Sequence, residues 1–237
     1  MSDSTFASEV ARRYDRWYET RWGRYADERQ RQLLVHMCAP QPAEQVLDVG
    51  CGTDRYLQWF AQMGLEATGV DKSVEMVQVA RQRLAGSGEE GRVLLADGTD
   101  LPFADDSFDL VTAITVLEFV DLPGALIREM LRISRDRIFL GVLNRYSPYY
   151  IQQRLRRGRI LSQAHFYSVD EIVTLVREAG GQDITWRTTL QGPAIGPPVL
   201  HHISRLRDCL PGASRLHWGA YIGVCVHPSQ DNRPMEV

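Results

Sequence analysis

The 237 residues suffice for one α/β domain with a full hydrophobic core. A hydrophobic fraction of 44% and a charged fraction of 24% are ordinary for a soluble globular chain and exclude a disordered or fibrous class. A net charge of only -3 argues against a dedicated nucleic-acid binder, whose affinity comes chiefly from a strongly basic surface. Lys72 is the only lysine, a bias that reads as a genome rich in G and C rather than as phosphate recognition. The start, Met1 to Phe6, lacks the basic head and apolar core of an export signal, and no apolar run approaches the roughly 18 residues of a membrane span. Cys38, Cys51, Cys209 and Cys225 are scattered without metal-ligand or disulfide spacing, so each is expected to be a small buried hydrophobe in the reducing cytoplasm.

In chain order, Ser4 to Cys38 reads as helical, with Tyr14, Trp17, Tyr18, Trp22 and Tyr25 interleaved with seven arginines and a break expected at Trp22-Gly23. Gln45 to Val49 fits a buried parallel strand, followed by Gly50-Cys-Gly52 and a helix over Tyr56 to Met63. Strand and helix then alternate. Strands are expected at Ala67–Val70, Val93–Ala96, Phe108–Ala113 and Ile138–Leu143, and helices at Ser73–Leu84 and Pro123–Ile133. Asn144 to Phe166 shows no clean period. Ser168-Val-Asp-Glu171 is a capping box opening a helix that Gly180-Gly181 stops. Residues 183–190 and 218–226 read as strands flanking a stretch that holds His201 and His202.

The pattern predicts a Rossmann-like, doubly wound, mostly parallel sheet in a single domain spanning residues 1–237. It divides into a helical cap at 1–40, a binding core at 41–143, and substrate-side segments with the last strands at 144–237. In such sheets the ligand lies beyond the carboxyl ends of the strands, where three acidic residues fall in register: Asp48, Asp71 and Asp97. Asp71 is placed to accept bonds from two ribose hydroxyls, and Asp97-Gly98 to accept from an exocyclic adenine amine. Adenosine without a pyrophosphate fits three carboxylates better than a dinucleotide does. A Gly-x-Gly-x-x-Gly reading from Gly50 also fails at Arg55.

Val46-Leu-Asp-Val-Gly-Cys-Gly-Thr53, Gly69-Val-Asp-Lys-Ser73, Ala96-Asp-Gly-Thr-Asp-Leu-Pro-Phe103 and Ser107-Phe-Asp-Leu-Val111 through Leu117-Glu-Phe-Val120 resemble successive motifs of the class I methyltransferases that use S-adenosylmethionine (SAM). The resemblance is to their small-molecule "type 11" branch and runs to about residue 180. Tyr14 to Tyr25 is similar to that branch's N-terminal cap, and Asn144 to Pro148 and Ala164 to Ser168 to its later loops. It implies a seven-stranded sheet with an insertion near the C-terminus, and a SAM site that turns over to S-adenosylhomocysteine (SAH). Asp48, Gly50, Cys51 and Gly52 would form the loop beneath the methionine portion, and Asp71 would hold the ribose. The stem of Lys72 would lie beside the adenine, Asp97 and Gly98 at its edge, Thr115 near the methionyl end, and Tyr14 over the site. No metal and no nucleic-acid partner are implied.

The chain departs from the family where a third glycine is usual, because Asp54 stands there. Its carboxylate either repels that of SAM, or points away, or pairs with Arg55 or with the SAM ammonium. The first predicts weaker binding that Asp54→Gly would restore. A milder departure replaces the usual Pro-Gly-Gly turn by Ser134 to Arg137.

A sulfonium methyl is already activated, so the protein must mainly align a nucleophile, with a base where that nucleophile carries a proton. His165, Glu118 and Tyr146 are the candidates, His165 first because its segment would close over the site. His201 and His202 are further candidates. The leading reading is methyl transfer to a small molecule. The alternatives are a binding or scaffold protein that has lost turnover through Asp54, and an NAD(P)-dependent oxidoreductase.

Overall fold

The computed structural model describes residues 15–87, 92–156, 164–191 and 216–228. Strands β1 (Gln45–Val49), β2 (Glu66–Asp71), β3 (Arg92–Leu95), β4 (Phe108–Ile114), β5 (Ser134–Leu143), β6 (Gln182–Thr189) and β7 (Tyr221–His227) form one sheet in the order β3-β2-β1-β4-β5-β7-β6. Pairing is parallel from β3 through β5, and β7 runs antiparallel to both β5 and β6. The strand order reverses between β1 and β4, which puts the ligand crevice at their carboxyl ends.

Burial explains why these segments are strands. In β1, Val46 packs on one face of the sheet while Leu47 and Val49 serve the other, so both faces demand apolar side chains. Helices α1 (Arg21–Cys38), α2 (Arg55–Gln62) and α3 (Val74–Ser87) cover the first face through Leu34, Phe60 and Ala80. Helices α4 (Pro123–Ile133) and α6 (Val169–Glu178) cover the second through Ile127, Met130 and Ile172. Each fully buried Leu, Ile or Phe contributes about 1.5–3 kcal/mol relative to exposure, so the two layers supply the main favourable contribution that offsets the conformational entropy of folding.

Three boundaries differ from the sequence expectation. The break in the N-terminal helix falls at Thr20, whose hydroxyl accepts the Gly23 N–H at 3.0 Å as an N-cap. Gly23 lies inside the first turn of α1, and a Cβ there would sit 2.0 Å from the Trp17 carbonyl oxygen. Its glycine answers a tertiary close approach rather than a helix end. Residues Ser134 to Arg137, expected as a loop, open β5 directly after α4. The Ser134 hydroxyl bridges to the Arg137 carbonyl at 2.9 Å beside a register shift against β4. Finally, the stretch after β5 contains a helix, α5 (Pro148–Arg156), started by Ser147 accepting the Tyr150 N–H at 3.1 Å. The capping box forms as expected, with Ser168 and Glu171 exchanging bonds. Tyr14, His201, His202, Cys209 and the insertion between β6 and β7 at 192–215 lie outside the described residues.

Candidate active site

The loop after β1 is shaped by its glycines. Gly50 and Cys51 both donate their N–H groups to the Val70 carbonyl, at 2.7 and 3.0 Å, which curls the chain over the end of β2. Gly52 has φ +55°, and a Cβ added there would meet nothing within 4 Å. A left-handed glycine under open space is a place where backbone and ligand can approach closely. The Gly52 N–H donates to Asp71 Oδ2 at 2.9 Å and the Ser73 N–H to Oδ1 at 2.8 Å. Two backbone donors therefore fix the Asp71 carboxylate, and each of its oxygens keeps a lone pair for a further donor.

Around this pair the other strand-end residues take different roles. Asp48 is buried under the loop; burial pushes its carboxyl up to about 7, opposed by the bond that Thr112 Oγ1 donates at 2.7 Å and aided by the charge of Asp71. Cys51 is buried with its Sγ 2.8 Å from where a Gly69 Cβ would be, so its thiol is packing, and burial pushes it well above its ordinary value. Asp97 is exposed and held below its ordinary value by the Thr99 N–H and hydroxyl, at 2.9 and 2.8 Å. Gly98 follows, closed in by Val49 and Leu126. Lys72 is exposed beside Asp71. Thr115, just past β4, has φ 55°, an unusual conformation for a β-branched residue and one that strained functional loops often carry.

Two of the three candidates for proton transfer, Glu118 and His165, are joined beyond β4 and β5, and Tyr146 stands on the turn after β5 without a contact to either among the described residues. Glu118 is buried, and burial pushes its carboxyl up to about 7. One oxygen accepts the Leu143 N–H at 2.6 Å, and Oε2 has no partner among the described residues. The Glu118 carbonyl accepts the His165 N–H at 2.9 Å, so the two residues are fastened through the backbone. His165 Nε2 lies 2.7 Å from Glu171 Oε1 and 3.2 Å from Arg145 Nη2. A carboxylate only accepts and a guanidinium only donates, so Nε2 serves one of the two; the shorter contact, to Glu171, favours the Nε2–H tautomer and leaves Nδ1 with its lone pair. Tyr146 is exposed on the turn after β5, its N–H donating to Asn144 Oδ1 at 2.9 Å. Tyr18 and Trp22, by contrast, are buried side chains of the cap.

This arrangement has relatives. A family model described as a methyltransferase domain matches residues 47–137. The methyltransferase GfsG of Streptomyces halstedii is 31% identical over 82% of this chain and 74% of its own length. A demethylmenaquinone methyltransferase of Roseiflexus castenholzii is 30% identical over 69% of this chain and 79% of its own. Among solved structures, a SAM-dependent methyltransferase of Thermotoga maritima, described as a possible histamine N-methyltransferase, superposes with a TM-score of 0.68 at 22% identity over 94% of this chain and 98% of that one. The chain is a class I SAM-dependent methyltransferase of the type 11 branch.

For a methyltransferase of this branch the loop is unusual at Asp54, and its geometry explains why a glycine is common there. Asp54 has φ 79°, left-handed, and is only 1% exposed. Its carboxylate does not pair with Arg55 but lines a cleft with Asp15, Gln58 and Arg83. Gln58 Nε2 donates to Oδ2 at 2.8 Å, and Arg83 Nη1 lies 3.7 Å from Oδ1. Burial pushes its carboxyl up to about 6, opposed by Gln58 and Arg83 and aided by Asp15. Arg55 instead pairs with Asp27 through bonds of 3.0 and 2.7 Å and lies 4.1 Å over the Tyr18 ring. Sequence reasoning missed Asp15, Gln58 and Arg83. Only the i, i+4 spacing of Asp54 and Gln58 offered a signal, because Arg83 is 29 residues away on another helix.

Proposed function

We propose that this methyltransferase transfers the methyl of SAM to a small organic acceptor, and that it does so in the cytoplasm. The observation that carries the reading is the Asp71 carboxylate, fixed by two backbone donors beside the open space over Gly52. Asp71 would accept the ribose hydroxyls. Gly50, Cys51 and Gly52 would lie under the methionine portion through their backbone, with Asp48 as the buried support below. Lys72, Asp97 and Gly98 would border the adenine and Thr115 the methionyl end. When bound, the cofactor supplies a methyl group activated by its sulfonium.

The chain's own residues then have to hold the acceptor in line and receive a proton where there is one. Glu171 holds the His165 imidazole by Nε2, so Nδ1 is the atom that takes the proton. Glu118 anchors the His165 backbone to the end of β5. Exposed Tyr146, Phe119 and Leu122 stand at the same sheet edge and favour an acceptor with an apolar part. The relative named demethylmenaquinone methyltransferase is in keeping with that class. Among the described residues no helix is long and apolar enough to cross a membrane. The bond from Gln58 and the nearby charge of Arg83 favour turnover over a scaffold that has lost it, because the loop keeps its left-handed turn with the Asp54 carboxylate engaged.

An acceptor screen with phenols, quinols and amines, read by SAH formation, tests the reading. Turnover of one class, lost in His165→Ala with SAH binding intact, is expected for an acceptor that must shed a proton. Turnover unchanged in His165→Ala would remove His165 from the mechanism.

A further inference from the structure

We propose that Arg83 and Asp15 are positioning residues for the cofactor, clamping the N-terminal segment at residues 15–20 onto the loop that holds it and so slowing its release. The inference rests on the cofactor site proposed above. The clamp joins three parts of the chain that are remote in sequence. Arg83, on α3, donates from Nη2 to Asp15 Oδ2 at 2.5 Å and from Nη1 to the Thr53 carbonyl at 3.2 Å. Thr53 is fully buried and donates its hydroxyl to Asp15 Oδ1 at 2.9 Å. Asp15 is thus gripped by both oxygens, Oδ2 by α3 and Oδ1 by the cofactor loop together with a longer 3.4 Å contact from Arg83 Nη1.

The loop residues carry this grip to the ligand side. Thr53 follows Gly52, whose N–H orients Asp71. The same short stretch is therefore anchored on Asp71 at one end and on the N-terminal segment at the other. Asp54 adds a second carboxylate facing the single Arg83 guanidinium, at 3.7 Å. Without Arg83, Asp15 and Asp54 would face each other unneutralised next to the loop, where like charges repel strongly because one of them is buried. The neighbouring Arg55 fastens α1 to α2 through Asp27 and lies 4.1 Å over the Tyr18 ring, so it supports the same segment from α2 while Arg83 ties it to the loop and to α3. Such a clamp acts on dissociation more than on encounter, since its contacts must break before the segment can lift away.

The experiment is stopped-flow displacement of SAH, followed by tryptophan fluorescence, in the native chain and in Asp15→Asn, Arg83→Gln and Arg83→Lys. SAH release should accelerate about fivefold or more in Asp15→Asn and Arg83→Gln, with association little changed. Arg83→Lys should recover part of the loss, and Asp15→Asn should melt close to the native chain. Arg135→Gln serves as a control, because it pairs with Asp109 at the amino ends of β5 and β4, the other end of the strands from the loop, and it should keep the native rate. Should Arg83→Gln fail to fold with Asp54 uncompensated, Arg83→Gln combined with Asp54→Gly replaces it, with the same faster release expected. Native release rates in Asp15→Asn and in the Arg83 variant would overturn the clamp. A native chain that does not bind SAH at all would overturn the cofactor site itself.

Discussion

Replacing Asp54 by glycine should stabilise this protein, and by an amount that depends on pH. Three contributions decide it. Asp tolerates a left-handed backbone worse than glycine, so relieving φ 79° is worth about 1 kcal/mol, which the greater freedom of an unfolded glycine roughly offsets. Losing the Gln58 bond costs about 1 kcal/mol. The largest contribution is the buried charge. Keeping a carboxylate ionised at neutral pH when folding has moved it from 3.8 to about 6 costs up to about 3 kcal/mol, less where cleft water screens it. The net expectation for Asp54→Gly at pH 7.5 is a gain of about 1–2 kcal/mol, or a few degrees in the melting midpoint. The sign fixes the pH window. A carboxyl raised on folding weakens the fold above its folded value, and that penalty fades as pH falls from about 6 towards 3.8. Thermal melts at pH 7.5 and pH 5 should therefore show the burial penalty about halved at the lower pH and, with the loss of the Gln58 bond unchanged, a net gain of about a third of the higher or less. A variant less stable than the native chain at pH 7.5, or one with the same gain at both pH values, would refute the reasoning. SAH affinity should move less than about threefold, because the carboxylate is already engaged by Gln58 and Arg83.

Asp48 and Glu118 are raised to about 7 by burial, so with Asp54 they should make the native chain gain stability as pH falls from about 8 to about 6. Urea melts that are flat or rise towards pH 8 would contradict this. Glu118→Gln keeps an acceptor for the Leu143 N–H and removes the buried charge, so it should stabilise by about 1 kcal/mol at pH 8. Glu118→Ala leaves that N–H unpaired and should destabilise by about 2 kcal/mol in the same urea melts. Gly52→Val puts a branched side chain at φ +55° into the space over the loop, and should cut SAH affinity at least about a hundredfold by calorimetry while the fold survives. Near-native affinity in that variant would place the ligand elsewhere.

The strand ends that carry the proposed cofactor residues were legible in the sequence. Asp71 closes β2, and Asp48 and Asp97 lie within two residues of the ends of β1 and β3, so the topology alone brings them to the carboxyl end of the sheet. The capping box at Ser168 was equally plain, being a local pattern. What escaped depends on tertiary approach. Gly23 looks like a helix breaker but meets the Trp17 carbonyl, and α5 hides in a polar stretch where only Ser147-Pro148 marks its start. Asp54 was visible as a departure, while what engages it is a bond from Gln58 and the charge of Arg83, a helix position that reads as surface.

The account turns on Asp71 as the fixed carboxylate of a working SAM site, and calorimetry of SAH against the native chain and Asp71→Ala tests it most directly. Binding in the micromolar range, weakened at least about tenfold in Asp71→Ala with the fold intact, is the predicted result. No binding by the native chain, or equal binding by the variant, would contradict it.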